Sequence, residues 1–339
     1  MTIACSPVSV DDALRLTAQR VGGRLRSALS DLPGPLRVSA GFHFGFWDAR
    51  GTPITASPGK MVRPAFVLAA ARAVGCLDLS RATRAGVAVE LVHNFSLVHD
   101  DVMDQDRVRR GRPTVWTQFG VPHAILLGDA TLSLANRVLV GEGGDGAATM
   151  SAELSSVVVE LCEGQLQDMA FEQTLEVSPE EYLAMAAGKT ASLLAGSCAL
   201  GGLAGGAGAR QVSALRGFGH HVGLAFQLVD DLLGIFGDSA VTGKPVGADL
   251  LRYKKCMPVL AAMRSGTAAG DELTELYRTR TITRANLAHA VALVDRAGGR
   301  DRTLDEARRR HDLAVENLAE AGDRAELEAL ARFLVGRSS

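Results

Sequence analysis

Residues 90–114 read ELVHNFSLVHDDVMDQDRVRRGRPT, and this stretch decides how the rest of the chain is read. Asp100, Asp101 and Asp104 sit in an apolar helical run, with Leu97, Val98, Val102 and Met103 around them. A second pair, Asp230 and Asp231, lies in a similar run, FQLVDDLLGIFGD at 226–238. Buried charge is costly unless something pairs with it, and clustered carboxylates repel, which raises their pKa values. Divalent cations held between two facing helices resolve both difficulties. An oxygen-only donor set suits Mg²⁺, which keeps waters and shares its coordination with substrate phosphates. The alternative, a solvated helix end, sits poorly with the apolar neighbours.

The cations sharpen this. Arg109-Arg110-Gly111-Arg112-Pro113-Thr114 follows the first cluster directly. Lys60 and Arg63 lie in GKMVRP (59–64), Lys189 in GKT (188–190), and Lys244 in GKPVGADLLRYKK (243–255). Carboxylates for metals with Lys and Arg around them describe a site for a polyanion. Arg offers a planar fork to phosphate oxygens and Lys a compact point charge. The chain has no GxxxxGK[ST] loop and no GxGxxG after a strand, so a nucleotide cradle is unsupported.

Bulk properties bound the answer. The 339 residues are 47% hydrophobic and 22% charged, enough for one large helical domain. A net charge of −2 argues against nucleic acid or anionic lipid as partner. The five cysteines (Cys5, Cys76, Cys162, Cys198, Cys256) have no CxxC spacing and read as reduced core residues of a cytoplasmic protein. The start, MTIACSPVSV, lacks the pattern of a signal peptide. The uncharged run Thr190–Ala209 is glycine-rich and reads as a buried helix rather than a stable membrane insertion.

The patterning is helical almost throughout. Helices are expected over about 9–31, 61–75, 80–105, 120–142, 148–170, 179–202, 209–236, 255–264, 271–278, 283–297, 302–321 and 324–335. Residues 32–58, rich in Pro and Gly, read as a loop with a short hairpin around 42–53. The Arg-, Glu- and Asp-rich C-terminal third reads as scaffold. On a helix, Asp100 and Asp104 are one turn apart, about 6 Å along the axis and on one face.

The five blocks at 59–64, 90–114, 188–190, 226–238 and 243–255 resemble, in order and spacing, the trans-isoprenyl diphosphate synthases, or polyprenyl synthetases. The resemblance covers residues 20–335. It implies an all-α, single-domain bundle of ten or more helices around a central active-site cavity, usually as a homodimer. It implies three Mg²⁺ ions held by Asp100, Asp104 and Asp230, with Asp101 and Asp231 supporting. It implies isopentenyl diphosphate at Lys60, Arg63, His93 and Arg110, and an allylic diphosphate at Arg109, Lys189 and Lys244. Thr190 and Gln227 match polar positions beside the allylic chain. Lys254 lies five residues after Asp249, as in the family's closing segment; a solvated lysine is the other reading.

The chemistry so implied is ionisation of the allylic diphosphate to a carbocation, attack by the isopentenyl double bond, and loss of a proton. No GxSxG elbow or Cys/His pairing suggests a side-chain nucleophile. Phe95 and Ser96, five and four residues before Asp100, match the positions whose bulk limits chain length. An aromatic at the first and a small residue at the second suggest a C20 product, geranylgeranyl diphosphate. A C15 or longer-chain synthase, a class I terpene cyclase and a non-catalytic subunit of a heteromeric prenyltransferase stay open. Two departures stand out. Gly234 replaces the last aspartate of the second cluster, with Asp238 one turn further as a partial substitute. The HFGFWDARGTP segment has no chemical role and reads as interface or lid packing.

Overall fold

Ser9 starts the first helix. Its hydroxyl accepts from the Asp12 amide at 3.1 Å, and Asp11 and Asp12 complement the positive end of α1, Val10–Ser30. Every fourth residue from Ala13 to Leu29 is buried, a one-sided stripe. This is a computed structural model; it describes residues 9–54, 59–141, 143, 146–174, 176–237 and 246–336. Almost every element is helical. The chain falls into two compact units, residues 1–158, 196–215 and 320–327, and residues 159–195, 216–319 and 328–339.

In the first unit, α2 is Gly34–Phe44, α3 Val62–Ala73 and α4 Ser80–Met103, which packs against α1 and α3. The sequence reading missed α2. Pro35 at the start of α2 has no amide to lose there, so it opens the helix rather than breaking it. Gly45, at φ 76°, closes it in the left-handed region. The expected hairpin shrinks to a single bridge between Trp47 and Pro53. Trp47 locks the segment: its indole donates to Val38 O at 2.8 Å and fills the space beside Gly41.

After α4, strands β1 (Val108–Arg109) and β2 (Arg112–Pro113) form a hairpin absent from the sequence reading. Arg110 and Gly111 both have positive φ, 52° and 73°, as a two-residue hairpin turn requires. Helices α5 (Val115–Phe119) and α6 (Val121–Val140) follow, and α6 lies along α4. Gly128 permits that approach, because a Cβ there would stand 2.0 Å from His99 Nε2.

Helix α7, Ala147–Gln173, enters the second unit at residue 159. There, α8 (Pro179–Ala186) begins with a capping box of Ser178 and Glu181. It runs through a π-helical turn, Ala187–Ala191, into α9 (Ser192–Ala204). Then come α10 (Ala209–Phe236), α11 (Ala248–Leu251), α12 (Met257–Met263), α13 (Ala268–Thr279), α14 (Leu287–Arg296), α15 (Gly299–Asn317) and α16 (Ala325–Val335). One core of this unit gathers Ile235, Val259, Leu273, Tyr277 and Leu293; another gathers Tyr182, Met185, Leu224, Leu228 and Leu260.

The continuous run Pro179–Ala204 is long and apolar enough to cross a membrane, but 67% of its apolar window is buried inside the protein. It is a core helix. The cysteine expectation is half corrected. Cys198 and Cys256 are buried, whereas Cys76 is partly exposed and Cys162 exposed; all four are free thiols. Cys5, Asp238 and Lys244 lie outside the described residues.

Candidate active site

The first aspartate cluster closes α4 rather than sitting within it. Asp100 is half-buried, and Asp104 is the exposed C-cap, its amide donating to Asp100 O at 2.8 Å. This corrects the reading of Asp104 as a core carboxylate: Asp106 and the hairpin turn the chain away just after it. The i, i+4 relation survives, so both side chains leave α4 on one face. Asp101 points elsewhere. It is 1% exposed, and its Oδ1 accepts from Arg109 Nε at 2.8 Å. Burial raises its pKa, while Arg109 opposes that shift. Asp101 thus braces the hairpin through Arg109. Its Oδ2 is buried without a hydrogen-bond partner among the described residues.

A polar network runs back along α4. Arg63, in the first turn of α3, donates to His93 Nε2 at 3.2 Å. Burial lowers the Arg63 pKa. Burial, then Arg63 and Arg110, push His93 well below the usual imidazole range, so His93 accepts as a neutral ring. Glu90, 3% exposed, has its pKa raised by burial and accepts from Asn94 Nδ2 at 3.0 Å. With its amide turned to Glu90, Asn94 presents Oδ1 to His43 Nε2 at 3.1 Å. His43 is lowered to about 3 by burial and then by Arg109, Arg110 and Arg112.

His43 therefore belongs to the site, although sequence reading passed it over together with α2. With Arg109, Arg110, Arg112 and Asp101 it lines a cavity of about 240 Å³. Arg112 stands 4.6 Å over the Phe42 ring, which fixes its guanidinium. Arg110 closes on Gly59, where a Cβ would meet its Nη1 at 3.0 Å. Lys60 follows Gly59 and is exposed. The cavity is strongly cationic, and a polyanion is what it can bind. Lower on α4, Ser96 donates to His93 O at 2.9 Å, and the Phe95 ring packs edge-on against His99 at 4.9 Å.

In the second unit, the π-helical turn carries Lys189 and Thr190. The turn meets α7 so closely that a Cβ on Gly164 would lie 2.1 Å from the Lys189 amide. Such single-turn bulges re-aim side chains and recur at functional sites. Here Lys189 is turned onto Asp168 of α7 as an ion pair. Thr190 donates to Gln227 Oε1 at 2.7 Å, and Gln227 Nε2 donates to Asp231 Oδ1 at 3.0 Å. Asp168 is a second residue missed in the sequence; a lone acid late in α7 gave no motif to find it by.

The two aspartates of α10 have opposite fates. Asp230 is exposed. Asp231 is 6% exposed, and its Oδ2 accepts from the Tyr182 hydroxyl and, at 3.0 Å, from the Met257 amide. Burial raises its pKa to about 7 against the pull of these hydrogen bonds. With both oxygens engaged, Asp231 ties α8, α10 and α12 together. Lys254 is exposed along its chain. Desolvation lowers its pKa, but Asp249, then Asp168 and Asp231, outweigh that, and the net direction is upward. It faces carboxylates, which disfavours the reading of a merely solvated lysine.

Asp100 and Asp104 in the first unit and Asp230 in the second are each accessible carboxylates, the donor type that a hard cation such as Mg²⁺ takes. Comparison with known proteins agrees with this chemistry. The family model described as Polyprenyl synthetase matches residues 50–294, which hold every motif block. A geranylgeranyl diphosphate synthase of Mycobacterium tuberculosis is 45% identical over 318 residues, 93% of this chain and 91% of that one. A (2E,6E)-farnesyl diphosphate synthase of the same species is 42% identical over 334 residues, 96% and 93% of the two chains. The crystal structure of a polyprenyl synthetase from Streptomyces coelicolor superposes with a TM-score of 0.91 at 41% identity, covering 96% of this chain and all of that one. Likeness of this extent, through both units and all the motif residues, makes the chain a member of the polyprenyl synthetase family, an all-α prenyltransferase of isoprenoid biosynthesis.

Proposed function

We propose that the protein condenses isopentenyl diphosphate with an allylic diphosphate, releasing diphosphate, and that its main product is geranylgeranyl diphosphate. One observation carries the choice of a two-diphosphate reaction over cyclisation. The helix that ends in Asp100 and Asp104 also bears His93, paired with Arg63, beside a cavity lined by three arginines. A cyclase has no need of a second cationic cradle. Intact aspartates at 100, 101 and 104 likewise disfavour a non-catalytic subunit.

Lys60, Arg63, His93 and Arg110 hold the isopentenyl diphosphate, and His93 stays neutral so that it does not compete with the bound substrate for protons. Arg109, Lys189 and Lys244 hold the allylic diphosphate. Asp100, Asp104 and Asp230 carry Mg²⁺, three ions in this reading, which when bound neutralise charge on the departing diphosphate. Asp101 and Asp231 keep their partners in place. Thr190 and Gln227 present oxygens beside the allylic chain, and Lys254 keeps its proton near the leaving group. The whole chain acts as one synthase domain, in the cytoplasm and as a homodimer. In support of the dimer, α7 exposes Val159 (68%), Leu166 (68%) and Met169 (41%) along one face.

Chain length rests on Ser96 and Phe95. Ser96, one turn before Asp100, is a small side chain on the same face, and the Phe95 ring packs against His99. Product sizing after dephosphorylation tests this. Wild type should give C20. Ser96→Phe should shorten the product toward C15, and Phe95→Ala should lengthen it beyond C20. A C15 product from wild type, or no change in either variant, contradicts the assignment.

A further inference from the structure

Position 234, one helical turn after Asp230 on α10, has no side chain, yet the space beside it is filled. A Cβ built on Gly234 would lie 2.1 Å from Asp249 Oδ2 and 2.8 Å from Asp249 Cγ. The Asp249 carboxylate thus occupies the place that a residue-234 side chain would take. The position is held from several sides. Gly247 (φ 75°) starts α11 in the left-handed region, and its amide donates to Ile235 O of α10 at 3.1 Å. Leu250 is fully buried, and the Lys254 amide donates to Asp249 O at 3.0 Å. Along α10 the spacing from Asp230 to position 234 is about 6 Å on one face. It repeats the Asp100–Asp104 relation on α4.

We propose that Asp249 supplies from α11 the carboxylate that Gly234 leaves out, so that Asp230 and Asp249 together ligate a divalent cation. Two oxygen donors one turn apart then serve the second cluster as they serve the first, and Gly234 is required because any larger residue would displace Asp249. The inference rests on the reading of Asp230 as a metal ligand and deepens it.

Binding of Mn²⁺ with inorganic diphosphate, followed by electron paramagnetic resonance on the full chain, tests it without turnover. Asp249→Asn should weaken Mn²⁺ binding about tenfold or more, as Asp230→Asn does, with the thermal midpoint recording that the fold is kept. In the double variant Gly234→Asp/Asp249→Gly the carboxylate returns to α10, and affinity should recover to near the wild-type value. Wild-type affinity in Asp249→Asn, with Asp230→Asn impaired, overturns the role of Asp249 and leaves the metal site standing. Unchanged affinity in Asp230→Asn overturns the metal reading of the cluster itself. Loss in Asp249→Asn without recovery in the double variant assigns Asp249 to holding Lys254, and the proposal falls.

Discussion

Two side chains one residue apart can do opposite work. Asp100 leaves α4 half-buried toward its cap, whereas Asp101 is buried on Arg109. Asp100→Ala or Asp104→Ala should therefore abolish turnover while the helix stays folded, because Ala removes an oxygen but not helix propensity. Near-normal turnover with an unchanged circular dichroism spectrum in either variant would remove both from the metal site. Histidines set a second expectation. His43 is held to about 3, against about 6.5 in an unfolded chain. A depressed histidine contributes stability that is present above pH 6.5 and lost as pH falls toward 3. Each such group adds a slope of up to about 1.4 kcal/mol per pH unit. His43→Gln, which keeps an amide donor for Asn94, should flatten the loss of urea stability between pH 6.5 and 5. An identical slope would mean that His43 is not buried as a neutral ring.

At the scale of elements, the amphipathic helices were legible in sequence because their apolar period is long and regular; α10 falls on its expected bounds, 209–236. What was missed depended on distant partners. Helix α2 hides behind prolines and glycines, and contacts such as the Trp47 indole against Gly41 and the His43 bond to Asn94 hold it in place. The π-helical turn at 187–191 lies where the Lys189 backbone approaches Gly164, a contact that no local pattern records. The hairpin at 108–113 was too short to show alternation. Close helix contacts make their own prediction. Gly128→Ala would push a methyl into His99, and overpacking of this kind costs about 1–3 kcal/mol. A denaturation midpoint equal to wild type would show that α4 and α6 are free to part. The exposed α7 stripe makes another. If the proposed dimer forms through this stripe, Leu166→Glu should be monomeric in sedimentation velocity at micromolar protein where wild type is dimeric; a monomeric wild type would contradict the dimer.

For the whole molecule, the motif blocks were readable because diphosphate and metal chemistry dictates residue types. The supporting residues were not, since His43, Asp168 and Tyr182 acquire meaning only through the groups they touch: Asn94, Lys189 and Asp231. The central claim is two-substrate chain elongation. Its most direct test incubates the purified protein with Mg²⁺, labelled isopentenyl diphosphate and an allylic primer, and follows label and released diphosphate together. The account predicts label in prenyl diphosphates longer than the primer, with one diphosphate released for each isopentenyl unit added and no reaction once Mg²⁺ is chelated. Diphosphate release from the primer without incorporation of isopentenyl label, giving a cyclised hydrocarbon, would contradict it.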